Sequence, residues 1–287
     1  MSIRVRSVVG AAAMVIMATS CGSDGVSSET VPQLPGRVTV PPEEPPVSTG
    51  PTVPPVTATT SPPPPTLPPS PYADRLPTFD VARPPAPLQM GLPVDQTQAA
   101  HLSRIETADP VAFITIDDGY VRHPEALALI RDSGVPVTLF LISSVAAEDP
   151  KFFSDIREQA DATIQAHTVT HSRLKGRSYE AQRQEICGSA DQLQGLFGTR
   201  PTLFRAPGGL QDPNTLAAAH DCGMKAVFFW REAVNDGRVQ FQEGTRIQRG
   251  DVVLMHFRQT FVDDYLAALQ SIKDAGLTPA RLEDYLP

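Results

Sequence analysis

Asp117 and Asp118 stand side by side at the end of a six-residue run, Val111 to Ile116, rich in β-branched and aromatic side chains, and Gly119 follows them. Such a run reads as a buried strand, and the glycine lets the chain turn sharply out of it. Two like charges at a strand end repel each other. They are accounted for when a cation lies beside them, or when one of them serves as a base. Asp-Asp-Gly is also sound turn chemistry, so a solvated turn fits these three residues taken alone. A second group, His167 and His171, follows the segment 162–166. Histidines four apart share one face of a helical turn, so both imidazoles can reach one metal ion. Two unrelated surface or core histidines would have the same spacing. Joined by one carboxylate, the pair leaves coordination positions for water, which is the composition of a catalytic zinc site and not of a structural one.

The elements that must position these groups alternate along the chain. Apolar runs at 111–116, 135–142, 162–166, 202–205, 224–230 and 251–256 read as strands. Between and after them, 124–132, 151–160, 178–197, 213–220 and 261–274 carry helical spacing, with Ser178 as an N-cap and Gly198 and Gly276 as stops. A short turn at 281–286 closes the chain. Repeated strand–helix units imply a parallel sheet. Asp117, Asp118, His167, Arg205 and His256 all fall at C-terminal ends of strands, the face that carries the active site of a (β/α) barrel. About seven strands fit, fewer than the eight of a closed barrel, so the expectation is an α/β fold, a distorted or incomplete (β/α) barrel.

Composition divides the chain into three. Arg4 and Arg6 precede an apolar run, Val8 to Thr19, too short to span a bilayer comfortably, and residues 1–21 read as an export signal. Its end, Ala18-Thr19-Ser20-Cys21, resembles a bacterial lipoprotein signal, in which the cysteine carries the lipid; a small-x-small cleavage site fits the same residues. Of the 30 prolines, 21 fall between Pro32 and Pro93. Residues 22–94 therefore read as a disordered Pro/Thr/Ser-rich tether, extended at roughly 3 Å per residue, and 95–287 as one folded domain. Cys187 and Cys222 remain as an even pair in an oxidising compartment, read as a structural disulfide closing a loop of about 36 residues, worth roughly 3–4 kcal/mol; two buried free thiols are the other reading. The formal net charge is −8 and no block of Lys or Arg stands out, which excludes a basic nucleic-acid footprint.

Taken in order, Asp117-Asp118-Gly119, His167-x-x-x-His171, Arg205-Ala-Pro207-Gly208 and Leu254-Met-His256 resemble the polysaccharide deacetylase family, also known as the NodB-homology domain or carbohydrate esterase family four. The resemblance spans about residues 110–275, essentially the whole folded part. It implies Asp117 as catalytic base and Asp118, His167 and His171 as ligands of a divalent metal, with Zn2+ expected and Co2+ or Ni2+ compatible. It further implies that Arg205 holds the base, that the Gly208 N–H after Pro207 helps bind the oxyanion, and that His256 is the general acid. Asp236 is the best match for the carboxylate that pairs with that histidine and keeps it cationic. Two positions depart from the family pattern. Gly208 stands where the family has tyrosine, and Gly237 and Ala233 stand where its acidic motif has tryptophan and a second aspartate.

The function expected is an extracytoplasmic metal-dependent deacetylase acting on an acetylated glycan, peptidoglycan or N-acetylglucosamine oligomers first. The protein is expected at the outer face of the membrane through a lipid on Cys21, beside the cell wall, with no nucleic acid bound and no protein partner inferred. Two other readings stay open at this point: a wall-binding barrel with weak or no catalysis, and a metal-dependent hydrolase of a non-glycan amide.

Overall fold

The computed structural model describes residues 68–80 and 97–287. The expected signal segment, Cys21 and most of the expected tether lie outside the described residues. The domain runs β1 (Ala100–Leu102), β2 (Val111–Asp118), α1 (Ala126–Ser133), β3 (Val137–Leu141), α2 (Ser143–Ala146), α3 (Pro150–Gln159), β4 (Ala162–Ala166), α4 (Tyr179–Phe197) and β5 (Leu203–Phe204). It continues through α5 (Pro213–Asp221), β6 (Ala226–Phe228), β7 (Glu232–Asn235), β8 (Arg238–Phe241), β9 (Val252–His256), α6 (Phe261–Asp274) and β10 (Thr278–Pro279).

The strands lie in the order β1-β6-β5-β4-β3-β2-β9-β7-β8, with β10 added on β2. Every pairing is parallel except β7 with β8, which form an antiparallel hairpin. The two ends of this order do not pair, so the sheet curls into an incomplete barrel, the architecture expected from the alternating pattern. β2, β3 and β9 are buried almost throughout, because side chains fill the barrel on one face and helices cover the other. Three features were not foreseen: the short β1, the two-residue β10 and the β7–β8 hairpin. None is long enough to show a decisive hydrophobic period.

The helices use the caps read in the sequence. Ser178 Oγ accepts the Ala181 N–H at the start of α4, and Gly198 closes it with φ 77°. Asp212 and Thr215 form a reciprocal capping box on α5. Cys187 of α4 and Cys222, just past α5, are joined in a disulfide. At the N-terminal ends of β3 and β4, the Glu283 carboxylate accepts from Thr138 Oγ1, Thr163 Oγ1 and Gln165 Nε2 at 2.6–3.3 Å, so the C-terminal turn is tied to that end of the sheet.

Residues 68–80 correct one boundary. They fall inside the stretch read as tether, yet Tyr72, Leu76 and Phe79 pack against the core. The Ser70 N–H donates to Asp132, Arg131 to the Pro68 carbonyl and Lys273 to the Thr78 carbonyl. The physical reason is local: this segment holds three large apolar side chains among its prolines, enough to seat on α1 and α6.

Glu232 and Asp251 lie close together, each about 1% exposed. Arg104 pairs with Asp251 at 2.6 Å, while Glu232 Oε2 has no donor. Burial first, then the charge and hydrogen bond of Asp251, push the Glu232 carboxyl from its ordinary 4.5 up to about 8. The folded state therefore binds a proton that the unfolded chain has already lost. Its stabilisation is complete below the ordinary carboxyl range and is lost as pH rises through about 8. The thermal midpoint is expected to fall as pH rises from the ordinary 4.5 to about 8, and Glu232→Gln to flatten that fall, measured by differential scanning calorimetry of both proteins.

Candidate metal centre

Strand register brings the chemistry-bearing residues to one end of the sheet. Asp117 lies opposite His256 on β9, and Ala166 opposite Phe204, so the next residues, His167 and Arg205, emerge side by side. Asp117, His167 and Arg205 are buried, whereas the side chains of Asp118 and His171 are 16% and 35% exposed. The site is thus open on the His171 side.

The two aspartates have different company. Arg205, fully buried, donates from Nη1 to Asp117 Oδ1 at 2.7 Å and to Thr115 Oγ1 at 2.8 Å. Its guanidinium lies 4.4 Å from the Phe140 ring centroid, and Nη2 donates to the Phe229 carbonyl at 3.2 Å. Asp118 Oδ1 instead lies 3.4 Å from His167 Nε2 and 3.3 Å from His171 Nε2. That oxygen is buried and has no hydrogen-bond partner. The separation of roles that spacing left open is therefore present in the geometry: one carboxylate is held by arginine, the other converges with two imidazoles.

The fit to a divalent cation rests on three further observations. The ligand atoms of Asp118, His167 and His171 all lie within 4.8 Å of one another. His167 Nδ1 lies 2.8 Å from the Arg205 carbonyl; a proton donated there leaves Nε2 free as a metal ligand. Among the described residues only four non-glycine residues have positive φ, and three of them, Asp118, Thr168 and His171, belong to this site. Backbone held in that region costs about 1–3 kcal/mol per residue and persists where its surroundings over-determine it. Burial works against the charge of Asp118, but the close approach and charge of His167, with the other two histidines, outweigh it and lower its pKa. Burial would lower His167, yet the charges of Asp117 and Asp118 raise it. For His171 burial prevails, aided by His167, and its pKa falls.

The segment 167–171 is an irregular loop, not the helical turn that the four-residue spacing implied, because Thr168 and His171 are left-handed. What fixes it is Glu185 of α4. One carboxylate oxygen accepts the Val169 and Thr170 N–H groups, both at 3.0 Å, and the other accepts Thr170 Oγ1 at 2.7 Å. The His171 N–H donates to Thr168 Oγ1 at 3.0 Å. Sequence reading missed Glu185, which nothing local distinguishes from the polar residues around it. It also missed Thr115, for which a signal existed: Thr115 lies two residues before Asp117 and so shares its face of β2.

His256 departs from expectation. Its Nδ1 is buried with no hydrogen-bond partner, so Asp236 does not hold it. Asp236 sits at the tip of the β7–β8 hairpin with φ 51°, lining a groove with Arg75, Asp263 and Leu266. Burial pulls the His256 pKa down despite the opposing charges of Asp117 and Asp118. Pro207, Gly208 and Gly209 form a tight turn after β5. Gly208 has φ 62° and Gly209 φ 68°, and a Cβ on Gly209 would lie 2.1 Å from the Phe229 ring. The Gly209 and Leu210 N–H groups close that turn on Ala206 and Pro207; the Gly208 N–H takes part in neither bond.

Comparison with known proteins places this geometry. Residues 104–227 match the sequence model of the Polysaccharide deacetylase family. An uncharacterized protein of Streptomyces coelicolor is 38% identical over 191 residues, covering 64% of this chain and 76% of that protein. A chitooligosaccharide deacetylase of Sinorhizobium fredii is 26% identical over 163 residues, covering 53% of this chain and 74% of that protein. Among solved structures, a Bacillus anthracis protein described as a CE4 family pseudoenzyme is similar with a TM-score of 0.57 at 18% identity, covering 66% of this chain and 69% of that one. At that identity the likeness is one of fold.

Glu185 supports the loop that carries two of the candidate metal ligands without touching them. Removing it frees the strained loop that carries His171, and outer partners of this kind are worth about 10–100-fold in metal affinity. Glu185→Ala is expected to weaken Zn2+ or Co2+ binding by that factor in a competition titration, with Glu185→Gln intermediate because its amide oxygen still accepts.

Proposed function

The chain belongs to the polysaccharide deacetylase family, and on that premise we propose that it is a metal-dependent hydrolase removing acetyl groups from a glycan outside the cytoplasm. The observation that carries this reading is the convergence of Asp118 Oδ1 with two imidazole Nε2 atoms beside an arginine-held Asp117. Zinc is the preferred ion for two nitrogens and one carboxylate, with cobalt and nickel compatible. When bound, such an ion supplies Lewis acidity, bringing the pKa of a water toward about 7 and stabilising negative charge on the acyl oxygen.

The protein's own groups then divide the labour. Arg205 occupies Asp117 Oδ1, which leaves Oδ2, 3.8 Å from His167 Nε2, to take the proton of the attacking water. The Gly208 N–H is the donor on offer to the tetrahedral oxyanion, and a donor of this kind is worth about 10²–10³ in rate. The scissile C–N bond breaks only if its nitrogen is protonated, and His256, facing Asp117 across the β2–β9 pair, is the acid within reach. An ester oxygen leaves with less help.

Location refines the substrate. The sequence of residues 1–21, read as an export signal with Cys21 as a lipid site, and the Pro-rich stretch after it motivate a protein held at the outer face of the membrane, which makes peptidoglycan the first substrate to test. A second reading, a glycan-binding barrel without turnover, is favoured by the missing partner at His256 and by Gly208 in place of an aromatic wall.

Acetate release from N-acetylglucosamine oligomers and from purified peptidoglycan decides between them, using the whole chain with added Zn2+ or Co2+. Asp117→Asn is expected to abolish release, and His256→Ala to reduce amide hydrolysis by about 10²-fold or more while sparing ester hydrolysis in part. Equal loss on amides and esters would remove His256 from the role of acid. Metal binding without any release would favour the non-catalytic barrel.

A further inference from the structure

Among the described residues, Tyr120 is the one exposed large hydrophobic side chain, with 53% of its surface open. It follows the two aspartates and Gly119 directly. Its ring stands edge to face with that of His171, with centroids 6.2 Å apart and planes at 90°. Nothing else on the described surface is comparable, and its place is not arbitrary. The centre is closed on the His167 side and open on the His171 side, so a substrate reaches the ligand atoms past Tyr120.

The backbone beneath the ring is held. Gly119 turns with φ 105°, and a Cβ there would come within 2.8 Å of Phe153 Cζ, so the chain leaves β2 by one route. Arg122 Nη1 donates to the Tyr120 carbonyl at 3.5 Å, while Nη2 anchors to the Val145 carbonyl at 2.7 Å and to Glu148 at 3.2 Å. A rigidly carried aromatic ring left in water at the mouth of a site, braced on a ligand, is a ready binding surface. Tyrosine offers such contact area at little conformational cost, with an apolar face and a polar edge that stays wet.

We propose that Tyr120 is the stacking platform for the sugar ring next to the one being deacetylated, so that the site selects an oligomeric glycan over an isolated acetylated unit. This rests on the deacetylase reading. A pyranose presents a face of C–H groups that matches an aromatic ring, and the hydroxyls at its rim stay solvated as the tyrosine hydroxyl does. Tyr120 lies on the solvent side of His171, outside the cluster of ligand atoms. The unit it meets is therefore the neighbour of the one whose acetyl group enters the centre.

The test compares wild type, Tyr120→Ala and Tyr120→Phe on a tetramer of N-acetylglucosamine and on a small acetyl ester with no second ring. Tyr120→Ala is expected to lower kcat/KM for the tetramer about tenfold relative to the ester, through KM, and Tyr120→Phe to keep the wild-type ratio. An unchanged ratio in Tyr120→Ala overturns the proposal, and so does an equal loss in Tyr120→Phe, which would assign the effect to the hydroxyl. Calorimetric binding of the tetramer to Asp117→Asn, with and without Tyr120→Ala, separates this proposal from the one beneath it. Tenfold weaker binding without turnover in wild type would sustain the platform and overturn the deacetylase; absence of binding would overturn both.

Discussion

The buried pair of Arg205 and Asp117 is the interaction on which the rest of the centre depends. A guanidinium with no exposed surface has to be satisfied from within, and Asp117, Thr115 and the Phe228 and Phe229 carbonyls together accept its N–H groups. Breaking such a pair leaves an uncompensated charge in the interior, at a cost of about 3–5 kcal/mol. Stability alone does not account for it, since well-packed apolar residues can replace buried ion pairs at little loss. What the arginine adds is orientation. Its side chain fixes one oxygen of Asp117 and so points the other toward the centre. Its carbonyl takes the His167 Nδ1 proton and so points Nε2 toward Asp118. A single residue thereby orients both the proposed base and one proposed metal ligand.

The second constraint is backbone strain, concentrated, among the described residues, where the proposed ligands are. Left-handed conformations at Asp118, Thr168 and His171 turn the chain so that side chains on two different strand ends meet at one point. Such conformations hold only if other bonds over-determine them. Glu185 supplies three acceptor contacts to the 167–171 loop, and Thr168 Oγ1 a fourth, to the His171 N–H. The buried, unpartnered Asp118 Oδ1 shows that this arrangement is incomplete as a set of protein hydrogen bonds. A cation between the three groups would complete it, and that matches their chemistry.

Much of this was legible in the order of residues. Continuous apolar runs such as that ending at Ile142 mark strands covered on both faces, and the polar residues ending them gather at one end of the sheet. Type and place single out Asp117, Asp118, His167 and His171 as candidates; which aspartate does what, and the part of Arg205, came from the family resemblance. What the sequence conceals is tertiary supply. Glu185 sits in a helix 14 residues beyond His171 and gains its role only when α4 packs behind the loop. The segment from Tyr72 to Phe79 was hidden by its prolines, although three large apolar side chains among them were the signal that it could dock. Asp236 was assigned by motif alignment, and a tight hairpin turn takes it elsewhere.

The glycine that replaces the family's aromatic residue is best understood together with its neighbours. Gly208 and Gly209 are both left-handed, and Gly209 lies so close to Phe229 that no side chain fits there. Phe229 in turn stacks on Trp230 with ring centroids 4.1 Å apart, and its carbonyl receives Arg205 Nη2. A tyrosine at 208 would have to adopt a conformation that L-residues hold only under strain, on a turn already pressed against that aromatic pair. The glycines, Phe229 and Arg205 are therefore one coupled arrangement, in which the Gly208 N–H is unused by the turn's own bonds. A glycine in place of the tyrosine removes a side chain there and keeps the backbone donor.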